Sequence, residues 1–202
     1  MELHEALTQI AAIRQQVART AVFRGYRAAP VAFSGLLAFV TAGVQAWQLP
    51  NPAGNPPAFL AIWVSAALLS VLACGGEMVW RTRRLSSALE SEKTLMAVGQ
   101  FLPCLAAGAL LLLVFARFAP ESLPLLPGLW AVVFGLGIFA SCRFLPTGIV
   151  WVGVFYLAAG LTAVAWGQGP YAFSPWTMGL PFGIGQLLAA WLLYRTPEHD
   201  DE

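Results

Sequence analysis

The chain has 202 residues, of which 58% are hydrophobic and 10% charged, with a net charge of +1 and a mean hydropathy of +0.70. Soluble domains carry about 25% charged residues, so this composition suits an apolar solvent. The near-zero net charge gives no sign of the clustered basic surface that nucleic-acid binding requires. The grouping of apolar residues into six long runs excludes a single soluble domain.

Residues 1–27 precede the first apolar run, and we expect them to form an amphipathic helix at the cytoplasmic face. Their apolar residues recur at steps of three and four, which gathers one stripe: Leu3, Leu7, Ile10, Ile13, Val17 and Ala21. Such a helix can lie among anionic headgroups or pack along a cytoplasmic protein partner, and both interpretations stay open. The segment lacks an apolar stretch of signal-peptide length.

The six apolar runs that follow predict six transmembrane helices. A bilayer core about 30 Å thick needs about 20 apolar residues in a helix, and the breaks between the runs contain Asn, Pro and Gly. The predicted spans are 28–47, 57–80, 95–116, 125–142, 149–167 and 176–194. The fold class is therefore an all-α membrane protein, with three helical hairpins over 28–195 and an acidic cytoplasmic tail at 196–202.

The basic residues predict the orientation, because cytoplasmic loops are enriched in Lys and Arg. Ten of the eleven lie on one side: Arg14, Arg19, Arg24, Arg27, Arg81, Arg83, Arg84, Lys93, Arg143 and Arg195. Only Arg117 lies on the other. Both termini are therefore predicted to be cytoplasmic, in a bacterial inner membrane. Tryptophans near the helix ends, Trp130 among them, fit interfacial belts, and Trp63 alone lies deeper.

Short motifs recur along the chain with the same orientation. Phe101-Leu102-Pro103 opens the third span and Phe144-Leu145-Pro146 opens the fifth. In the returning helices, Pro127 stands seven residues before Phe134-Gly135-Leu136-Gly137, and Pro175 stands seven before Phe182-Gly183-Ile184-Gly185. The pattern is typical of parallel hairpin repeats; chance similarity between apolar helices is the alternative.

Ionisable residues inside membrane spans are candidate functional residues. Glu77 is the one that qualifies, and Arg81 stands four residues later, which suits an ion pair within the helix. Two alternatives are a pair with Arg143, which ends the fourth span on the same side, and a proton- or ion-handling role.

Gln186 is the deepest strongly polar side chain, and together with Gln100 it is a candidate for a polar core or a ligand contact. Glycines from several spans share its depth, and small residues allow membrane helices to approach closely. The candidate packing glycines are Gly135, Gly137, Gly179, Gly183 and Gly185. Gln186 is either a hydrogen-bonding group between tightly packed helices or part of a small central ligand cavity.

Residues for catalysis or for metal and cofactor binding are not apparent. The two histidines, His4 and His199, lie outside the spans, and no nucleophile–base set, phosphate-binding loop or carboxylate pair is present. Cys74, Cys104 and Cys142 lie singly within apolar runs, which is typical of small core residues. We therefore expect no enzyme activity, no cofactor and no metal.

Several stretches resemble a family of six-helix bacterial membrane proteins. They are Phe23-Arg24-Gly25-Tyr26-Arg27, Arg117-Phe118-Ala119-Pro120-Glu121-Ser122, Leu126-Pro127-Gly128-Leu129-Trp130 and 174–183. The resemblance covers nearly the whole chain and implies a six-helix membrane fold, but no activity and no site residue. Genes for such proteins are associated with neighbouring winged-helix regulators, which implies a sensing or regulatory role.

Two functions remain open from the sequence. The first is a non-catalytic membrane protein that senses a lipid or an apolar ligand, or that anchors a cytoplasmic regulatory partner through its N-terminal helix. The second is a small transporter or channel with a central site near Gln186. The first is favoured because the spans carry few polar groups along any path. Membrane lipids are the expected partners, and a homo-oligomer is left open.

Overall fold

A computed structural model describes residues 28–84, 88–146, 148–167 and 171–195 of the chain. Six long α-helices account for most of them, and no strand occurs within these ranges. The helices are α1 (Ala28–Gln48), α2 (Pro56–Arg84), α3 (Ala88–Phe118), α4 (Leu126–Ser141), α5 (Ile149–Trp166) and α6 (Pro175–Arg195). The predicted N-terminal helix and the acidic tail lie outside the described residues.

Capping residues and prolines explain where three of the helices begin. At the start of α2 the Asn55 side chain accepts a hydrogen bond from the backbone N–H of Ala58 at 3.2 Å, and Pro56 takes the first helical position. Asparagine is a favoured N-cap, and proline suits the first turn because its missing N–H would have no partner there. Pro127 and Pro175 stand in the first turns of α4 and α6 in the same way.

Six helical segments are long and apolar enough to cross a membrane, as the sequence predicts. The fourth of them covers Pro120–Ser141, because a short 3-10 helix, Pro120–Leu125, continues directly into α4. The largest difference in bounds is in α3, which was expected to begin at 95. The helix begins at Ala88, and its apolar part covers Gly99–Phe118. Charged residues end an apolar run without ending a helix, because Glu and Lys have good helix propensity. The first eleven residues of α3 therefore extend the helix by about 16 Å beyond its apolar part.

Consecutive helices touch along the chain, and α6 returns to α1. The two most extensive contacts are α1 with α6 and α4 with α5, whereas α2 and α3 touch each other little. Neither of the extensive contacts lies within a predicted hairpin. The grouping into three hairpins stays a prediction.

Glycines bring α4 and α5 into backbone contact. A Cβ added at Gly128 would lie 2.7 Å from the carbonyl oxygen of Gly160, and one added at Gly160 would lie 2.7 Å from the carbonyl oxygen of Gly128. One heptad along each helix, a Cβ at Gly135 would lie 3.1 Å from the Gly153 oxygen. Two glycines per helix, seven residues apart, thus form a seam between the two backbones.

A similar seam joins α1 and α6. A Cβ at Gly179 would lie 2.6 Å from the Cβ of Ala42, and one at Gly35 would lie 3.1 Å from the Cβ of Gln186. Between these two levels, Gly183 faces the ring of Phe39 so closely that a Cβ would not fit. Close approach raises the number of van der Waals contacts, which are a main source of helix association in lipid.

The helices α2 and α3 lie at the edge of the bundle and expose many of their described apolar side chains. Exposed residues on α2 include Leu68, Leu72 and Val79, and those on α3 include Leu102, Leu110 and Leu113. An apolar surface of this kind would be unfavourable in contact with water, but it suits contact with the acyl chains of lipids.

The α4–α5 seam predicts a large effect of a single methyl group. Gly128→Ala would place its Cβ against the backbone of Gly160 and Val164. We expect it to lower the free energy of unfolding by about 2 kcal/mol, which is typical of overpacking. The loss should be seen even though alanine has a better helix propensity than glycine by about 1 kcal/mol.

Gly43→Ala is the matched control, because no atom lies within 4 Å of a Cβ built at Gly43. It should leave stability unchanged or raise it slightly. Denaturant unfolding in mixed micelles measures both variants, and equal stability of the two would show that the seam does not hold α4 and α5 together.

Candidate functional site: a buried amide and an aromatic core

Gln45 is the most buried polar residue in the described part of the chain, with 0% of its surface exposed. Its side-chain oxygen accepts a hydrogen bond from Trp63 Nε1 at 2.6 Å, and its Nε2 donates to the carbonyl oxygen of Phe173 at 2.8 Å. These bonds connect α1, α2 and the segment that leads into α6. We call this arrangement the Gln45 clamp.

The surroundings of the clamp are apolar. Phe59 and Leu126 are fully buried beside it, and Phe173 and Trp63 belong to the same cluster. In such a low-dielectric environment a hydrogen bond is strong, and an unpaired polar group is correspondingly costly. The clamp therefore fixes one end of the bundle in a single arrangement.

Gln45 belongs to a buried polar face of α1. Ser34 and Thr41 are each 7% exposed, and they stand eleven and four residues before Gln45, which places all three on one side of the helix. Ser34 Oγ donates to the carbonyl oxygen of Val31 at 2.8 Å, within its own helix. The sequence analysis did not select these residues, although their spacing is a signal that could have identified the face.

Trp130 joins two helices through its indole. Its indole Nε1 donates to the carbonyl oxygen of Gly108 on α3 at 3.0 Å, and the residue is partly buried. The interfacial position expected for Trp130 stays a prediction. The other tryptophans besides Trp63 are exposed near helix ends: Trp47, Trp80, Trp151, Trp166, Trp176 and Trp191.

Aromatic rings fill the centre of the bundle between α4, α5 and α6. Tyr156 is fully buried, and its ring centroid lies 4.8 Å from that of Phe134, 5.4 Å from that of Phe182 and 5.8 Å from that of Phe155. Phe134 also contacts Phe182 and Phe101. Offset and edge-to-face pairs of this kind add attraction beyond the area that they bury.

The four predicted polar candidates are not brought together at this centre. Gln186 is half-buried on α6 with its Cβ against Gly35, and Gln100 is exposed on α3. Arg143 is exposed just after α4, and Glu77 is half-buried on α2 and engaged with a neighbouring group. The structure describes the backbone of Arg81 but not its side chain. The Glu77–Arg81 pair therefore stays a prediction.

The five candidate packing glycines are all buried at helix contacts. Gly179 and Gly183 face α1, and Gly135 faces α5. Gly137 faces Phe101 and Cys104 of α3, and Gly185 faces the ring of Tyr156. Neighbouring atoms thus occupy the space above each of them.

In the described part of the chain, no three His, Cys, Asp or Glu residues lie close enough together to hold a metal ion. Cys74, Cys104 and Cys142 are free and half-buried on three different elements.

The chain matches no protein-family model, and comparisons with curated proteins and with solved structures likewise give no match.

The Gln45 clamp predicts a loss of stability that exceeds the average for membrane hydrogen bonds. Gln45→Leu would leave Trp63 Nε1 and the Phe173 carbonyl without their partner in an apolar cluster. We expect the free energy of unfolding to fall by about 1–3 kcal/mol, the usual penalty for orphaned buried groups, against about 0.6 kcal/mol for an average interhelical bond.

Gln48→Leu, which changes an exposed amide on the same helix, is the control and should have little effect. Adding Trp63→Phe to Gln45→Leu should cost less than the sum of the single changes, because both polar partners are then removed. Strict additivity in denaturant unfolding would contradict the clamp.

Proposed function

We propose that the chain is a non-catalytic integral membrane protein that responds to a lipid or an apolar ligand and conveys the response to a cytoplasmic regulatory partner. The observation that carries this proposal is the filled aromatic centre around Tyr156 and Phe134. A transport path needs polar groups at successive depths, whereas rings and glycine seams occupy the middle of this bundle. The exposed apolar faces of α2 and α3 offer a large contact area to lipid.

The proposed location is the cytoplasmic membrane of a bacterium, with both termini inside. The ten-to-one distribution of basic residues supports this orientation. Within it, residues 1–27 meet the inner headgroups, where their arginines can bind anionic lipid or a protein partner. The Gln45 clamp would then lie near the outer surface, and Arg143 and Arg195 near the inner one. Self-association into a homo-oligomer belongs to the same proposal.

The proposed function predicts a lipid-dependent stability. Delipidated protein in detergent should unfold at a higher temperature when a polar lipid extract of bacterial membranes is added, because a ligand that binds the folded state stabilises it by mass action. An equal detergent volume without lipid is the control. No change in the midpoint across the whole titration would contradict lipid sensing, and solute uptake by proteoliposomes would favour the transporter alternative.

The proposed orientation predicts which positions an impermeant thiol reagent reaches in whole cells. With Cys74, Cys104 and Cys142 replaced by alanine, single cysteines at Ala53 and Ser122 should label from outside. A cysteine at Ser87, between α2 and α3, should label only after the cells are opened. Labelling of Ser87 in intact cells would reverse the orientation.

A further inference from the structure

The hydroxyl of Tyr156 is a hydrogen-bond donor with no partner in the described part of the chain. Its oxygen is shielded from solvent, and the residue is 0% exposed. Buried hydroxyls are normally paired, and an unpaired one calls for an explanation such as strain or a bound group. The aromatic rings around it provide apolar contacts but no acceptor.

Gly185 on α6 makes room for this hydroxyl. A Cβ built at Gly185 would lie 2.5 Å from the ring of Tyr156 and 2.7 Å from its hydroxyl oxygen. Any larger residue would push the ring away. Gly185 thus allows α6 to lie against the Tyr156 hydroxyl, although α6 gives that hydroxyl no hydrogen-bond partner.

The same stretch of α6 is its weakest. Pro181 removes one backbone hydrogen bond, and Gly183 and Gly185 both disfavour helix. Sharp bends in helices occur at such residues. The contact between α5 and α6 is also much less extensive than the α4–α5 and α1–α6 contacts. A small bend of α6 at Pro181–Gly185 would therefore open the α5–α6 contact and uncover Tyr156, and it would leave the α4–α5 seam unchanged.

We infer that Tyr156 marks an internal binding site that opens between α5 and α6 and takes an apolar molecule with one hydrogen-bond-accepting oxygen, such as the ester carbonyl of an acyl lipid. The phenyl rings of Phe155 and Phe182 would contact the apolar part, and the hydroxyl of Tyr156 would donate to the oxygen. This inference rests on the proposed lipid-responsive function and gives it a site and a ligand class.

The test uses a fatty-acid methyl ester with a diazirine in its acyl chain, and the full-length protein in detergent. The probe should raise the unfolding midpoint of the wild type, whereas hexadecane, which has no oxygen, should raise it much less. Tyr156→Phe removes only the hydroxyl, and we expect about a fivefold weaker apparent affinity from the loss of one hydrogen bond. Tyr194→Phe is the matched control, because Tyr194 is 81% exposed, and it should bind as the wild type does.

Irradiation then locates the probe. Label on peptides that contain Tyr156 or Gly185, reduced in Tyr156→Phe, supports the site, whereas label confined to α2 and α3 overturns it. An unchanged affinity of Tyr156→Phe, or no response of the wild type to the probe, also overturns the inference. If Tyr156→Phe is less stable without probe and binds it unchanged, the hydroxyl holds a water molecule and the inference is wrong. In each of these cases a midpoint that still rises with the lipid extract leaves the proposed function standing.

Discussion

Helices in an apolar solvent gain little from burying apolar surface against one another, because the acyl chains that they displace are equally apolar. Close backbone approach is what remains, and glycine permits it. In this bundle Gly128 and Gly160 place two helix backbones in contact, and Gly35 and Gly179 do the same for another pair. These two seams hold four of the six helices. The aromatic rings pack between α4, α5 and α6, and α2 and α3 attach at the edge.

Hydrogen bonds between helices have a different role from the glycine seams. Two hydrogen bonds between described helices use an indole donor: Trp63 donates to Gln45, and Trp130 donates to a backbone oxygen. Each one ties a peripheral helix, α2 or α3, to the tightly packed part. Hydrogen bonds thus position α2 and α3, which lack a glycine seam. Close backbone packing at glycines holds α1, α4, α5 and α6 together.

The helices were predictable because bilayer thickness fixes their length and because Asn, Pro and Gly mark the breaks. The start of α3 was misplaced because Glu90, Glu92 and Lys93 lower hydropathy while keeping helix propensity. Helix pairing was not predictable, since these helices are apolar on every side and hydropathy does not distinguish a buried face. Gln45 was missed for a related reason. It lies one turn from the end of its span, where an amide is expected to meet water, and its acceptor lies 128 residues away in sequence.

That separation bears on how the protein is made. Membrane helices are inserted in the order of synthesis, so in the proposed membrane location α1 would be inserted well before α6, its main packing partner. Until α6 arrives, the glycine face of α1 lacks the helix that it packs against, and the Gln45 amide lacks the Phe173 carbonyl. The α4–α5 pair, by contrast, can form as soon as its short connection is complete. The α4–α5 contact would therefore form before the α1–α6 contact, which must wait until α6 follows. A chain that stops short of α6 would retain five membrane-competent helices and leave the first of them without its principal neighbour.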